Sequence, residues 1–460
     1  MVRGRLRELR DIPWPFLGLG LYRAWLDGII GTLVRTDTIF FSSKFLFDVV
    51  CGLSALALAL LLVPRAGVGR DRVAAAAMAA MVASSLGLDV LSGDGLVVQA
   101  AHTLCCVLGA FGMMSLSLLW IELYASFNPV RMALCYSLAL LLGKGVILLL
   151  AGYNEAYRLF FQLVLPVASG LLLRRSRQRV FGASSEQGGM PSATTSFPWK
   201  PALFMGAYAF SYAFSGLSPA SGGLLLEVVS AVPALAVLCS VLFSSGRFDF
   251  FSMYGMALPS MVCGFLLLAM VPGIPSAVVG SCVGVSYAAA SMLVVLIVCG
   301  IAYRTGASAL WLFGLVRFVQ YTAMGVGQLL RQGLDSLTGA SAVDVTVVPV
   351  VVIVLVLVVS IVFVTERSSY FGWNIEPIAT QKGEKLVVPL AAKVEHVAEE
   401  CNLTQREQEV LLQLLHRKTV ASISEDMFIA EGTVKAHIQH IYSKLGIHSR
   451  KKLFALFDEE

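Results

Sequence analysis

Apolar runs of about 20 residues recur along the chain from Trp14 to Val364, and they limit the possible folds more than any other feature. A helix needs about 20 apolar residues to cross roughly 30 Å of hydrocarbon. Of the 460 residues, 57% are hydrophobic and only 14% are charged, whereas soluble domains typically carry about 25% charged residues. One water-facing surface cannot cover such a composition. We therefore expect most of the chain to lie in a membrane.

The apolar runs predict twelve membrane-spanning helices. Their approximate positions are 14–34, 44–63, 72–91, 98–124, 130–151, 156–173, 201–219, 224–243, 254–271, 276–301, 308–330 and 343–364. The first run contains Arg23 and Asp27, whose i,i+4 spacing places them on one helical face, where they could pair. A helix lying along the membrane surface is the alternative for this run. It would leave eleven spans and put the two chain ends on opposite sides.

The positive residues between the runs predict the orientation, because Lys and Arg accumulate in short cytoplasmic loops. With the N-terminus inside, sixteen Lys or Arg residues fall on the cytoplasmic side and four on the other. An even number of spans then returns the chain to the cytoplasm after Val364. We predict a multi-pass protein of the bacterial cytoplasmic membrane with both termini cytoplasmic.

A polar segment at 174–200 divides the membrane region, residues 1–365, into halves 1–173 and 201–365 with six runs each. Twelve spans, a central basic loop and both ends inside together resemble the major facilitator superfamily. The loop PRAGVGRDRV, with Gly69 and Arg70, resembles the end of a sequence motif of that family. The resemblance implies two similar halves with a binding site between them near the midplane.

Four ionisable residues are predicted to lie deepest in the spans, where each costs roughly 2.5–3.5 kcal/mol. They are Lys144, Arg317, His102 and Asp89. Such residues are candidate ligand sites, and a cationic pair of Lys144 and Arg317 would favour an anionic or phenolic ligand. Glu122, Glu227 and Asp48 lie nearer the span ends, where snorkelling or pairing with a neighbouring helix is the expected role.

The sequence contains none of the P-loop, H-E-x-x-H or G-x-S-x-G motifs, and it offers no argument for an enzyme or a cofactor. The nine cysteines lie mostly inside spans without C-x-x-C spacing, so we expect small buried side chains rather than metal ligands or disulfides. His437 and His440 are expected to lie on a helix face without a metal.

After Val364 the chain becomes polar, and residues 366–402 are predicted to form a linker and a lead-in helix. A capping box at Thr404 and Glu407 predicts the start of the next helix. A short helix at about 420–427 follows, then a third helix that opens near Gly432 and is ended by Gly446. A fourth helix is predicted from Arg450 to Phe457. Two short helices joined by a tight turn indicate a helix-turn-helix, whose second helix enters the major groove of DNA.

Residues 403–460 resemble the LuxR-type DNA-binding domain, a four-helix reader. The family pattern falls on Leu403, Thr404, Arg406, Glu407, Glu409, Val410, Leu411, Ile423, Ile429, Thr433, Val434, Lys435, His437, Ile441, Tyr442, Lys444, Leu445, Gly446, Ile447, Ser449 and Arg450. Before the second helix the chain departs from the family, because Arg417 and Lys418 stand where the family has a glycine turn.

The LuxR resemblance implies roles for individual residues of this domain. Contacts with base edges would come from Lys435, Ala436 and Gln439, and contacts with phosphates from Thr433, Tyr442 and Lys444. The last helix would pair two subunits through Leu453, Phe454 and Leu456. Eight Lys or Arg residues balance eight Asp or Glu residues from Leu403 onwards, so one copy should bind DNA weakly and a homodimer on two half-sites is expected.

The whole chain thus resembles membrane-spanning LuxR-type regulators, in which an all-α bundle of about twelve spans is fused to the reader. The expected function is a one-component regulator that senses a small molecule in its membrane domain and binds double-stranded promoter DNA, with RNA polymerase as a further partner. The alternatives are a transporter with a regulatory DNA-binding tail, and a membrane region that is only an anchor.

Overall fold

The part of the chain that the structure describes is almost entirely helical in the computed structural model, as the sequence predicts. The structure describes residues 13–34, 36, 38, 42–62, 69–91, 93, 95–150, 152, 154–181, 198–216, 219–243, 247–248, 251–271, 273–305, 307–338, 347–365, 378–379, 403–415, 419–427, 431–447 and 453. The chain forms two compact units, Met1–Ala379 and Thr380–Glu460. The predicted lead-in helix and Phe454 and Leu456 lie outside the described residues.

The first unit begins with a 3-10 turn, Trp14–Gly18, and continues with thirteen described helices. These are α1 Leu19–Leu33, α2 Ser43–Leu62, α3 Arg70–Val90, α4 Leu96–Tyr124, α5 Pro129–Leu150, α6 Glu155–Phe181, α7 Trp199–Phe214, α8 Pro219–Ser230, α9 Val232–Phe243, α10 Phe251–Met270, α11 Ser276–Thr305, α12 Ala309–Thr338 and α13 Val347–Thr365. Helices therefore lie at each of the predicted positions.

Eight stretches of the described helices are long and apolar enough to cross a membrane. They are Ser43–Leu62, Arg70–Val90, Leu96–Tyr124, Pro129–Leu150, Tyr157–Phe181, Leu225–Leu242, Ser276–Tyr303 and Ala309–Leu334. Two shorter apolar helical stretches are Tyr254–Met270 and Pro349–Val362. The chain is thus a multi-pass membrane protein, and this count lies below the twelve spans that the sequence predicts.

Two predicted spans differ from the helices observed. Residues 174–181, predicted as the start of the central loop, continue α6 to Phe181. The run at 224–243 is broken at Ala231 into α8 and α9. Pro233 explains the break, because proline has no N–H to donate to the preceding turn and its ring clashes with that turn.

Helix α1 packs inside the bundle. Trp25, Ile29 and Leu33 are fully buried, and the indole N–H of Trp25 donates to Ser85 Oγ on α3 at 2.8 Å. A helix lying along a membrane surface would expose one face to lipid and one to water, so these contacts support a helix of the bundle at the first run.

Close helix approach fixes the geometry of the first half where α1 crosses α5. A Cβ atom on Gly20 would lie 2.1 Å from the carbonyl oxygen of Ala139, and one on Gly143 would lie 2.7 Å from the carbonyl oxygen of Gly20. Only glycine lets two backbones approach so closely. The crossing sets Lys144, the next residue of α5, against α1.

A two-residue antiparallel pair joins the segment after α9 to the segment after α13. Strand β1, Arg247–Phe248, pairs with β2, Ile378–Ala379, with Arg247 opposite Ala379. This backbone pairing lies within the first unit.

The second unit contains three described helices, α14 Gln405–Leu415, α15 Val420–Met427 and α16 Glu431–Lys444. Their apolar faces share one core with Leu403, Ile447 and Leu453. Of the predicted fourth helix, the structure describes Leu453 alone.

Candidate functional sites

The capping box predicted at the start of the C-terminal domain is present. The backbone N–H of Thr404 donates to Glu407 Oε2 at 2.7 Å, and the N–H of Glu407 donates to Thr404 Oγ1 at 3.3 Å. Two N–H groups at the start of α14 are thereby satisfied. The prediction of a helix start here is confirmed.

Glu407 also joins the first helix of the domain to the third. Its carboxylate is 4% exposed, and Lys444 Nζ donates to its Oε2 at 2.7 Å. Burial raises the pKa of Glu407, but hydrogen bonds from Lys444 and Thr404 outweigh burial and lower the pKa to about 2. The LuxR resemblance implies a phosphate contact for Lys444, and the structure directs its ammonium group to this buried carboxylate.

Helix α16 presents the residues predicted to read DNA. Thr433, Lys435, Ala436 and Gln439 are exposed along it, whereas Tyr442 is half-buried against the core. Val434 and Ile441 are fully buried, so the opposite face fixes the helix to the domain.

The end of α16 has the predicted left-handed glycine. Gly446 has φ +64°, and the N–H of Ile447 donates to the carbonyl oxygen of Tyr442 at 3.0 Å, which is a Schellman ending. Leu453, predicted to pair two subunits, is fully buried in the core of its own domain.

A cavity of about 170 Å³ lies in the first unit between the two predicted halves. Helices α1, α2 and α5 line it from the first half, and α7, α8, α9, α11 and α12 line it from the second. The charged side chains at the cavity are Arg23, Asp27, Lys44, Asp48, Lys144, Glu227 and Arg317. The tyrosines are Tyr136, Tyr212, Tyr287 and Tyr321.

Lys144, a predicted ligand residue, joins the two halves at this cavity. Its Nζ lies 2.8 Å from Asp27 Oδ2 on α1 and 2.6 Å from Glu227 Oε2 on α8. Helices α8 and α11 pack closely here, because a Cβ on Gly284 of α11 would lie 2.6 Å from the Leu226 side chain. The carboxylate of Asp27 therefore pairs with Lys144, and Glu227 pairs across to a neighbouring helix as expected.

Arg317, the second predicted ligand residue, also lines the cavity. Its Nη1 donates to Gln320 Oε1 at 2.5 Å, and its guanidinium lies 4.6 Å from the ring centroid of Phe313. Gln320 in turn donates to the Tyr287 hydroxyl at 2.5 Å. The structure thus brings Lys144 and Arg317 to one cavity.

The other two predicted ligand residues lie away from the cavity. Asp89 is exposed in the last turn of α3, where Thr32 Oγ1 donates to it at 3.4 Å, so the expectation of a deep position is wrong. His102 is buried, with Nε2 3.1 Å from the carbonyl oxygen of Leu91. Both residues contact a neighbouring segment of the chain. The apolar run alone does not show that such a contact is within reach.

The sequence did not single out Arg23, Asp27, Lys44 and Asp48 as members of one site. Lys44 pairs with Asp48, and Gln328 Nε2 donates to Asp48 Oδ2 at 2.7 Å. These partners are up to 280 residues apart along the chain. The one signal in the sequence for these four residues is the free-energy cost of placing a charge inside an apolar run.

A further charge cluster lies at the ends of α3, α4 and α6. Glu122 accepts from Arg70 and Arg177, each at 2.7 Å. Arg70, at the end of the loop motif that resembles the major facilitator superfamily, is therefore paired with a carboxylate from α4. The same three helices are thereby joined at one end of the first half.

Comparison with known proteins identifies the C-terminal domain. The family model of bacterial regulatory proteins, luxR family (GerE), matches residues 401–457. The spore germination protein GerE of Bacillus subtilis is 42% identical over 50 residues, which are 11% of this chain and 68% of that protein. The nitrate/nitrite response regulator protein homolog of Haemophilus influenzae is 41% identical over 59 residues, 13% of this chain and 28% of that one. The chain thus spans only about a quarter of the length of this protein and of the transcriptional regulatory protein LnrK of Bacillus subtilis, which it also matches.

Solved structures identify the fold of the membrane domain. A bacterial homologue of the iron transporter ferroportin matches with a TM-score of 0.55 and 16% identity over 77% of this chain and 98% of that one. The proton:xylose symporter XylE, of the major facilitator superfamily, matches with a TM-score of 0.53 and 10% identity over 77% of this chain and 93% of that one. At such identities the likeness concerns the fold alone. The chain therefore belongs to the luxR family of bacterial regulatory proteins, with the family's DNA-binding domain at its C-terminus and a membrane domain of major-facilitator fold before it.

Proposed function

We propose that this chain is a membrane-bound one-component transcriptional regulator. A small molecule binds in the cavity between the halves of the membrane domain and changes promoter binding by the C-terminal domain. The observation that carries the proposal is the cavity itself, because it is charged, is lined from both halves and belongs to the same chain as a LuxR-type domain.

A ligand in this cavity can act only through a difference in its affinity for two arrangements of the halves. The ion pair of Lys144 and Glu227 supplies such a difference, since it exists only while α5 and α8 are close. A ligand that prefers the separated arrangement would break this pair. The Lys144–Glu227 pair is therefore an element through which ligand binding can shift the balance between the two arrangements of the halves.

On DNA, two copies of the C-terminal domain occupy two half-sites in this proposal. Lys435, Ala436 and Gln439 contact base edges, and their exposure on α16 supports that role. Thr433 and Tyr442 contact phosphates, while Lys444 mainly holds Glu407 in place and reaches phosphate only secondarily. The last helix pairs the two subunits through Phe454 and Leu456, while Leu453 is buried in the core of its own domain. RNA polymerase is the further partner expected of a promoter-bound regulator.

The protein resides in the bacterial cytoplasmic membrane with both termini in the cytoplasm. The support is the distribution of Lys and Arg between the predicted loops and the presence of a DNA-binding domain after the last helix. Residues 1–365 form the sensor, 366–402 the linker and 403–460 the reader.

The test is a reporter under the native promoter, induced with a panel of small molecules that includes the substrates of any enzymes encoded beside the gene. We expect the wild-type chain to respond to one of them, and the Lys435→Ala variant to lose the response while reaching the membrane in equal amount. A reporter that responds equally with and without residues 1–365 would refute sensing and leave the membrane domain as an anchor.

The second candidate function is a transporter with a regulatory tail, and the fold shared with solved transporters favours it. Uptake of the labelled inducer into vesicles separates the two. A transporter accumulates the inducer, and Lys435→Ala leaves the uptake unchanged. A sensor binds the inducer without accumulation.

A further inference from the structure

We propose that the cavity of the membrane domain binds an aromatic carboxylate with one ring, and that Arg317 holds its carboxylate group. This inference rests on the proposed function only for the claim that occupancy is transmitted to DNA. The ligand class itself follows from the charge, the size and the lining of the cavity.

The charge balance of the cavity leaves one positive charge without a partner. Four cationic side chains and three carboxylates line it, which gives a net charge of +1. The two lysines already have partners, because Lys144 pairs with Asp27 and Glu227 and Lys44 pairs with Asp48. Lys144 and its two carboxylates together carry one negative charge, and Arg23 and Arg317 carry two positive charges. The net excess of one positive charge therefore resides on these two arginines.

Arg317 is the better placed of these two for an anion. It is only 7% exposed, and its contacts are the neutral oxygen of Gln320 and the ring of Phe313. Among the residues that the structure describes, no carboxylate lies within 4.0 Å of its guanidinium. A buried charge without a counter-ion costs several kcal/mol, and an anionic ligand in the cavity removes that cost. A carboxylate fits because it accepts two parallel N–H bonds from one guanidinium.

The cavity volume limits the ligand to about one ring. A cavity of about 150 Å³ holds benzene, and this cavity measures about 170 Å³. Benzoate and its small derivatives match this volume.

Tyrosine rings give the cavity its preference for an aromatic ligand. Tyr212 of α7 and Tyr287 of α11 stack with centroids 4.6 Å apart and an angle of 22° between the rings. Gln320 links the Tyr287 hydroxyl to Arg317, so an aromatic wall and the cationic group are fixed relative to each other. Offset stacking on such a wall stabilises an aromatic ring more than an aliphatic chain.

The experiment measures the thermal unfolding of the full-length protein in nanodiscs with three matched probes. Benzoate should raise the midpoint by about 3 °C or more at saturating concentration. Benzamide, which has the same shape without the charge, and acetate, which has the charge without the ring, should raise it by less than about 1 °C. Equal shifts with benzoate and benzamide would overturn the anionic class, and equal shifts with benzoate and acetate would overturn the aromatic one.

Variants at position 317 test the residue. Arg317→Gln should weaken benzoate binding by roughly 10- to 100-fold, whereas Arg317→Lys should recover part of it. Without ligand, Arg317→Gln should unfold at the same temperature as the wild type or higher, because the substitution removes an unpaired buried charge. A lower midpoint without ligand, together with unchanged benzoate affinity, would show that Arg317 is structural and would overturn the proposal.

The promoter reporter separates this inference from the proposed function. If benzoate binds in an Arg317-dependent way and the reporter does not respond, the ligand class stands and sensing fails. If benzoate does not bind while a neutral inducer drives the reporter, sensing stands and the ligand class fails.

Discussion

The ammonium group of Lys144 lies 2.6 Å from the carboxylate of Glu227, and this contact joins a helix of the first half to a helix of the second across 83 residues of sequence. The second partner, Asp27, is on the same half as Lys144 and 117 residues away. One cation thus holds two carboxylates together at the cavity, and its ion pair with Glu227 joins the two halves.

Removing the cation should destabilise the membrane domain more than removing either carboxylate. Lys144→Met leaves Asp27 and Glu227 facing each other, and an uncompensated buried charge costs about 3–5 kcal/mol. The measurement is the thermal unfolding of the full chain in nanodiscs.

The control for this prediction is the triple variant Asp27→Asn, Lys144→Met, Glu227→Gln, which removes all three charges and should recover most of the loss. Equal destabilisation by the single and the triple variants would show that packing, rather than charge, explains the effect.

Glu227→Gln should change the basal output of the promoter. This substitution removes the charge that links the two halves and keeps the pair of Lys144 with Asp27. Promoter activity without inducer should therefore move towards the induced level. Asp89→Asn, an exposed change outside the cavity, should leave the activity unchanged, and an equal effect of the two variants would argue against the cavity as the control point.

The contacts of the charged residues show what the sequence could and could not predict. The capping box of Thr404 and Glu407 was predictable because both residues lie in one helical turn. Lys144 and Arg317 were recognisable because a charge inside an apolar run is costly wherever its partner lies. The partners themselves depend on how distant helices pack, and a single sequence contains no signal for that packing. Lys444 shows the same limit, because family position suggested phosphate and the structure directs it to Glu407.

The stability of the C-terminal domain should fall in acid because of Glu407. Its pKa is lowered to about 2 in the folded domain and is about 4.3 in an unfolded chain. A group with a lowered folded pKa stabilises the fold above its unfolded pKa and loses that contribution as the pH falls through the folded value. The loss should thus extend from about pH 4.5 to about pH 2.

Urea unfolding of a fragment of residues 380–460, which form a separate compact unit, measures this dependence. Glu407→Gln should be less stable than the wild type at pH 7 and should show a flatter profile below pH 4.5. An unchanged acid profile in the variant would assign the dependence to other carboxylates.

Base reading should depend on the exposed face of α16. Gln439→Ala should reduce the free energy of binding to the native site by about 1–3 kcal/mol and relax the preference at one base pair. Lys435→Ala should weaken binding in the same way. A lower salt dependence of this variant would show that the lysine also contacts phosphate. Fluorescence anisotropy of the full chain in nanodiscs, with promoter and scrambled duplexes at several salt concentrations, measures both effects. Arg406→Gln is the charge-matched control, because Arg406 is exposed on α14 and pairs with Glu409 at 2.8 Å. If Arg406→Gln and Lys435→Ala weakened binding equally and neither altered sequence preference, α16 would not be the reading helix.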